Sequence, residues 1–272
     1  MLAQICDKVG ASFMCDMAHY AGLVAGKVVK SPFEHCDIVT STTHKTLRGP
    51  RAGIIFFRQA LATAVNSAVF PGVQGGPHMN AIAAIATALR EVNTDEFRDY
   101  ARRVIANSQA LAKYLIDHGY RLQTGGTDTH LILWDLRPNG ITGNKVELVL
   151  ELAKYVPCCR TITATHSLTC VPGRCSISTN KNAVQGDTKM LTPGGLRVGT
   201  APLTTRGLTP CQCETVAGFL HRGVQIALRL QADNSTLAKF RAAAAADAEL
   251  AALRQEVEKF ALELPMPGFP SL

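Results

Sequence analysis

Residues 39–53 read VTSTTHKTLRGPRAG, and this stretch decides the fold. It starts as an apolar strand and passes into the polar cluster Thr42-Thr43-His44-Lys45. An earlier apolar stretch, Ala11 to Cys15, leads in the same way into Asp16-Met17-Ala18-His19. In open α/β sheets the ligand crevice lies at the carboxyl ends of parallel strands. The two polar clusters therefore predict an α/β fold with a site at one edge of a sheet.

Three short apolar stretches predict the strands of this first region: Ala11 to Cys15, Asp37 to Thr40, and Ala52 to Phe57. Each has strand length and is bounded by Gly, Pro or a charged residue, which predicts buried, parallel strands. A helix is predicted from Pro77, with the apolar residues Ile82, Ile85, Ala86 and Leu89 at helical spacing.

A second helix is predicted from Asn93, with Glu96 three residues on as a capping box and Gly119 as the C-cap. We expect a domain boundary there, which gives a large-domain part, 1–92, and a small α/β C-terminal domain, 93–272. The patterns in the second domain predict strands at 130–136 and 196–200 and helices at 145–155 and 209–230. The alanine-rich tail, 237–264, predicts an amphipathic helical segment that stops at Pro265.

Residues 157–175 do not follow this pattern. They contain four of the nine cysteines, and His166 lies among them. No Cys-x-x-Cys pair is present, so an irregular insertion is favoured over a zinc site, and we expect no metal.

Composition excludes several classes of protein. The 28 Lys and Arg against 21 Asp and Glu give a net charge of +7, which favours anionic ligands. The basic residues are scattered, so no dedicated nucleic-acid site is expected. The longest apolar run, Ala81 to Ala86, is too short to span a membrane. Nine cysteines, several in apolar stretches, fit a reducing compartment of the cytoplasmic type.

Lys45 is the residue that points to a particular chemistry. An amine held among cations and away from water has a lowered pKa and can form a Schiff base with a carbonyl compound. Enzymes that use pyridoxal 5'-phosphate need such a lysine, an acid for the pyridine nitrogen, donors for the phosphate and an arginine for the substrate carboxylate. Candidates for the last three roles are Asp16, the pair Gly75 and Gly76 ahead of a helix, and Arg197.

The stretch 39–53 strongly resembles the lysine motif of serine hydroxymethyltransferase, also called glycine hydroxymethyltransferase, and the Gly-Gly-Pro-His form at 75–78 resembles the eukaryotic branch of that family. The resemblance covers nearly the whole chain apart from 157–175. It includes the stretches DMAH at 16–19, FPGVQGGPH at 70–78, NKN at 180–182 and GLRVGT at 195–200.

The resemblance implies a pyridoxal phosphate enzyme of fold type I that interconverts serine and glycine and passes the one-carbon unit to tetrahydrofolate. In such an enzyme Lys45 would carry the cofactor as an internal aldimine, and His44 would lie beside it. Asp16 would pair with the pyridine nitrogen, and His19 and Thr42 would line the cofactor. Gly76, with Gly75, would reach the phosphate of a partner subunit, which implies a homodimer or tetramer. Arg197 would bind the amino acid carboxylate.

The folate residues implied by the resemblance are Asn182, Lys189, Met190 and Leu191. Compared with the family pattern, Gln185 replaces a proline, and Ala201-Pro202 reverses the usual order. Met1 falls near the middle of the family's cofactor domain, so the chain is expected to lack the N-terminal part of the family's sequence. A cytoplasmic location is expected, with a mitochondrial one left open because a presequence would lie upstream.

Two other functions remain open at this stage. The chain is either an enzyme, alone or completed by another subunit, or a catalytically inactive homologue that acts as a partner of a full-length enzyme. A pyridoxal phosphate-dependent aldolase would use the same lysine, aspartate and arginine, so only assays with and without folate separate that activity from the hydroxymethyltransferase reaction.

Overall fold

The structure, a computed structural model, describes residues 2–153, 179–188, 191–233 and 236–267. The predicted insertion 157–175, with His166, lies outside the described residues. The chain divides into two compact units, Met1–Arg102 and Arg103–Leu272. Both contain helices and strands, so the α/β class predicted from the sequence is confirmed. The predicted domains, 1–92 and 93–272, stay a prediction.

The helices in chain order are α1 (Leu2–Val9), α2 (Ala21–Ala25), α3 (Ala62–Ser67), α4 (Met79–Val92), α5 (Asp95–Asp117), α6 (Gly143–Leu152), α7 (Ala201–Thr205), α8 (Pro210–Asp233), α9 (Leu237–Ala245) and α10 (Ala248–Leu262). The strands are β1 (Met14–Asp16), β2 (Ile38–Thr42), β3 (Gly53–Phe57), β4 (Arg121–Leu122), β5 (Leu131–Asp135), β6 (Asn180–Asn182) and β7 (Gly195–Gly199). The unit boundary falls within α5. None of the helices described is both long enough and apolar enough to cross a membrane.

The first unit contains a three-stranded sheet in the order β1-β2-β3. Strands β1 and β2 are parallel, and Asp16 is opposite Thr40. Strand β3 is antiparallel to β2, with Thr42 opposite Gly53, so the prediction of three parallel strands was wrong for the third. The connection from β2 to β3, residues 43–52, has no room for the crossover of a dozen or more residues that a parallel partner needs.

The prediction that all three strands are buried was also wrong. Only β2 has a neighbouring strand on each side. Val39 and Ser41 of β2 are buried, whereas Met14 of β1 and Ile55 of β3 are exposed. Burial in this sheet is therefore concentrated on the strand that leads into the polar cluster 42–45.

Two predicted helices of this region are present, with one correction at a cap. Helix α4 starts just after Pro77, but its apolar residues Ile82 and Leu89 are exposed. The predicted cap Asn93 was wrong: the hydroxyl of Thr94 accepts the Phe97 N–H at 3.3 Å, while Asn93 closes α4 by donating to Leu89 O. A threonine one position later satisfies the amide three residues on, which is the geometry of an N-cap.

The second unit contains a four-stranded antiparallel sheet in the order β4-β5-β7-β6. Ile132 and Trp134 of β5 and Leu196 and Val198 of β7 alternate into a core that is completed by helices. Gly119 ends α5 with φ +79°, which confirms the predicted C-cap. The alanine-rich tail forms two helices rather than one, because Asp247 caps α10 by accepting the Leu250 N–H at 2.9 Å.

A buried ion pair closes the end of β5. Asp135 is 0% exposed. Its carboxylate accepts the Arg137 Nε–H at 2.9 Å and the Nη2–H at 2.8 Å. These side-chain hydrogen bonds from Arg137 hold the pKa of Asp135 below its ordinary value. The unfolded chain therefore binds this proton at a higher pH than the folded chain does.

We expect this difference to make part of the stability depend on pH. The contribution of the ionised carboxylate is fully present above about pH 4 and is lost as the pH falls through the lower folded pKa. Asp135→Asn should reduce the free energy of unfolding by about 2 kcal/mol at pH 7 and by clearly less at pH 3. Urea unfolding at both pH values measures this, with the exposed Asp128→Asn as the control. An equal loss at both pH values would contradict the prediction.

Candidate active site

The ends of β1 and β2 bring together two of the predicted site residues. Asp16 is the last residue of β1 and Thr42 the last residue of β2. A carboxylate oxygen of Asp16, Oδ1, accepts the Ala18 N–H at 2.9 Å, and the Thr42 hydroxyl donates to the Ala18 carbonyl at 3.3 Å. Both side chains are thus fixed to the same residue at the carboxyl ends of the two parallel strands, where the crevice is predicted.

Thr46 joins the segment that carries Lys45 to the segment that carries His19. Its side chain donates to the His19 carbonyl at 3.0 Å and accepts the Gly22 N–H at 2.9 Å. Thr46 is only 3% exposed, so these hydrogen bonds are sheltered from water. The backbone of Lys45 is therefore held beside the loop after β1.

Gly22 permits this close approach. A Cβ at Gly22 would lie 2.2 Å from the carbonyl oxygen of Thr46 and 2.5 Å from its carbonyl carbon. Any other residue at this position would push α2 away from the lysine segment. A glycine is thus needed at position 22, after Asp16-Met17-Ala18-His19, because no side chain fits there.

The rest of the connection 43–52 is also anchored. Gly49 N–H donates to the Thr43 carbonyl at 2.7 Å, and the Thr43 hydroxyl donates to the Ala52 carbonyl at 3.2 Å. The guanidinium of Arg48 lies 4.2 Å from the ring centroid of Tyr100 and 5.2 Å from that of Phe97. These cation–π contacts bind the far end of the connection to α5.

Lys45 and His44 leave polar atoms available at the crevice. The Lys45 amine makes no hydrogen bond or ion pair with any described residue. Nδ1 of His44 is buried and has no hydrogen-bond partner in the described part of the chain. Burial, together with the charges of Arg51 and Lys45, lowers the pKa of His44, so this imidazole is neutral at pH 7. A free amine beside a neutral imidazole with an unpaired nitrogen is suited to a bound polar group.

Gly75 and Gly76 lie ahead of α4 in the same unit and are exposed. A Cβ at either position would have no atom within 4 Å among the described residues. They share no hydrogen bond with the strand ends in the part of the chain that the structure describes. Their predicted role at a phosphate stays a prediction.

Arg197, Asn182 and Leu191 belong to the second unit. Arg197 lies on the face of β7 opposite the buried Leu196 and Val198, and forms no ion pair with any described residue. Asn182 is paired with Gly195 across β6 and β7, two positions from Arg197. Leu191 is 88% exposed, and its carbonyl accepts the Asn144 side chain at 3.0 Å. Lys189 and Met190 lie outside the described residues.

Sequence reasoning placed Arg48 in the cluster around Lys45 but did not assign Thr46 or Gly22 to the site. Thr46 and Arg48 lie inside the stretch 39–53, and their contacts are with residues far away in the sequence. The available signal was Gly22 in the apolar stretch after Asp16, since a glycine inside a short helix indicates close backbone approach.

The described residues define an α/β protein with a lysine segment at the carboxyl ends of two parallel strands. The family model for serine hydroxymethyltransferase matches residues 1–168 and 160–220. Cytosolic serine hydroxymethyltransferase of Oryctolagus cuniculus is 45% identical over 291 residues, which are 99% of this chain and 56% of the relative. The chain belongs to the serine hydroxymethyltransferase family, a family of pyridoxal phosphate-dependent transferases of fold type I.

Other relatives agree. Serine hydroxymethyltransferase of Bombyx mori is 45% identical over 285 residues, 98% of this chain and 57% of the relative. A putative mitochondrial serine hydroxymethyltransferase of Neurospora crassa is 42% identical over 302 residues, 98% of this chain and 51% of the relative. The chain therefore spans about half the length of the curated relatives that it matches.

We expect Gly22→Ala to destabilise the first unit, because the new methyl group would overlap the Thr46 carbonyl. Overpacking of this kind costs about 2 kcal/mol in free energy of unfolding. Urea unfolding of the full chain measures the loss. Gly53→Ala is the matched control, since a Cβ there would lie an ordinary 3.8 Å from its nearest neighbour, the carbonyl oxygen of Ser41. Equal stability of the two variants would contradict the steric argument.

Proposed function

We propose that this chain takes part in the interconversion of serine and glycine, with transfer of the one-carbon unit to tetrahydrofolate and pyridoxal 5'-phosphate as the cofactor. The observation that carries the proposal is the arrangement at the ends of β1 and β2. Hydrogen bonds fix Asp16 and Thr42 to Ala18 there, and Thr46 attaches the segment that carries Lys45 to His19. Membership of the family supports the same reaction.

The residues at the ends of β1 and β2 fit this cofactor on their own chemistry. The buried Nδ1 of His44 has no hydrogen-bond partner among the described residues and would be costly to leave without a ligand. The amine of Lys45 makes no hydrogen bond to a described residue and can bind an aldehyde. Asp16 uses Oδ1 for the Ala18 N–H and keeps a second carboxylate oxygen for a ring N–H. Thr42 holds this loop through the Ala18 carbonyl.

Each residue then has a defined task. Lys45 would hold the cofactor through its aldehyde group, and Asp16 would keep a proton on the pyridine nitrogen by accepting its hydrogen bond. When bound, the cofactor supplies an electron sink for the bonds at the amino acid α-carbon. His44, neutral at pH 7, accepts a hydrogen bond or a proton at Nδ1. His19 lines the cofactor beside Asp16.

The second unit supplies residues for the two substrates. Arg197 presents two parallel N–H donors to the carboxylate of serine or glycine, the geometry in which guanidinium groups bind carboxylates. Asn182, Lys189, Met190 and Leu191 are proposed to contact the reduced folate. The exposure of Leu191 and its anchored carbonyl support a role in contacting a ligand.

Association of subunits forms part of the proposal. Met79, Ile82 and Leu89 are large apolar side chains on α4, and they are 68%, 42% and 41% exposed. Exposed apolar groups of this kind mark interaction surfaces. Gly76 lies just ahead of this helix, and we propose that it serves the cofactor of a second subunit in a homodimer or tetramer. The proposed compartment is the cytoplasm. A regulatory association with a full-length enzyme, without catalysis, would use the same surface.

Lys45→Ala should abolish the visible absorption band that the purified chain gives with pyridoxal 5'-phosphate, because Lys45 is the amine proposed to bind the aldehyde. Spectra are recorded with and without the cofactor. The exposed Lys259→Ala is the control and should keep the band. A band of equal strength in Lys45→Ala would rule out Lys45 as the attachment residue.

Arg197→Lys should weaken binding of serine more than tenfold and leave the cofactor band unchanged, since an ammonium group cannot make both contacts of the guanidinium. Titration of the band with serine measures the affinity, and glycine formation with and without tetrahydrofolate separates a hydroxymethyltransferase from an aldolase. Arg254→Lys, on α10, is the control. Unchanged serine affinity in Arg197→Lys would remove Arg197 from the substrate site.

A further inference from the structure

We propose that Arg137 and Asp187 are positioning residues for reduced folate, because together they fix residues 184–187 and Gly194, between Asn182 at the end of β6 and the start of β7. This inference rests on the proposed function and extends it to residues outside the motifs. Its basis is one connected set of hydrogen bonds in the second unit.

Asp187 closes the connection between the two strands. Its Oδ2 accepts the N–H of Val184 and that of Gly194, each at 2.9 Å. Val184 lies two residues beyond the end of β6, and Gly194 immediately precedes β7. One carboxylate oxygen thus holds both ends of the connection together.

Arg137 attaches this connection to β5. Nη1 lies 3.4 Å from Asp187 Oδ1, Nη2 donates to the Gln185 carbonyl at 2.9 Å, and the same guanidinium binds the buried Asp135. The fork geometry of arginine allows these contacts at the same time, whereas a lysine could not make them all.

Two glycines leave room for this arrangement because they have no side chain. A Cβ at Gly194 would lie 2.4 Å from Cγ of Arg137 and 2.9 Å from Oδ1 of Asp187, so the arginine packs directly on the glycine backbone. Gly186 has φ +91°, in the left-handed region, and a Cβ there would lie 3.2 Å from Nη1 of Arg137. The connection therefore packs closely against the ion pair at Gly186 and Gly194.

The residues that this network holds are close in sequence to two proposed folate contacts, Asn182 and Leu191. Asn182 ends β6 two residues before Val184, and the Leu191 carbonyl is held by Asn144 at 3.0 Å. Ion pairs that are partly removed from water add little net stability, but they fix geometry. The backbone amides of Val184 and Gly194 hold the pKa of Asp187 below its usual range, so its charge persists at neutral pH. The network therefore selects one conformation of an exposed segment.

The test compares Asp187→Ala and Arg137→Lys with Arg222→Met, which breaks the exposed Arg222–Glu256 ion pair elsewhere in the same unit. The probe is 5-formyltetrahydrofolate, a stable reduced folate, titrated into the full chain loaded with the cofactor and glycine. We expect the dissociation constant to rise about tenfold in Asp187→Ala and in Arg137→Lys, to recover largely in Asp187→Asn, and to stay unchanged in Arg222→Met.

Two further readouts separate positioning from loss of structure. Serine affinity and the Lys45-dependent band should be unchanged in all variants. Amide hydrogen exchange should become faster at Val184 and Gly194 in Asp187→Ala, with or without folate. Wild-type folate affinity in both Asp187→Ala and Arg137→Lys would overturn the inference, as would an equal loss in Arg222→Met. If the unmutated chain shows the cofactor band but no folate binding, the folate part of the proposed function fails, and this inference fails with it.

Discussion

The hydroxyl of Thr46 is the interaction on which the candidate site depends. It is buried, donates to the His19 carbonyl and accepts the Gly22 amide, and so joins two segments that are 24 to 27 residues apart in the chain. The two polar clusters are also linked through the strand ladder and through the contact of Thr42 with Ala18 at 3.3 Å. The Lys45 carbonyl accepts the Arg48 N–H at 2.9 Å, whereas the Lys45 amine has no hydrogen bond or ion pair with a described residue, so the position of Lys45 is set by its backbone and its neighbours.

Much of the fold could be predicted because its signals are local. The helices near 145, 210 and 237 follow apolar periodicity and end signals that a short window contains, and the structure has helices α6, α8 and α9 there. The direction of β3 was predicted wrongly, because the apolar composition of a strand says nothing about its direction. The connection from Thr43 to Ala52 is too short for the crossover that a parallel strand needs, and this length was the signal that the sequence offered.

The candidate site could likewise be predicted only where its signals are local in the sequence. Asp16 and Thr42 end strands, so their meeting follows from strand order alone. The network of Arg137 and Asp187 was not predicted, since Arg137 contacts a carbonyl 48 residues away in an exposed connection. Nothing in the sequence around Arg137 distinguishes it from a solvated surface residue. Only Gly186 and Gly194 hint at the close packing that the structure contains.

Arg48 adopts φ +58°, a left-handed backbone conformation that costs a non-glycine residue about 1 kcal/mol. A glycine would adopt it freely, but it would have no side chain to lie over Tyr100 and Phe97. Arg48 therefore has an unfavourable backbone conformation, but its side chain attaches the lysine segment to α5. Replacing Arg48 by glycine would remove the backbone strain but also the contacts with Tyr100 and Phe97. The substitution that usually stabilises such a turn would therefore loosen the attachment of the lysine segment to α5.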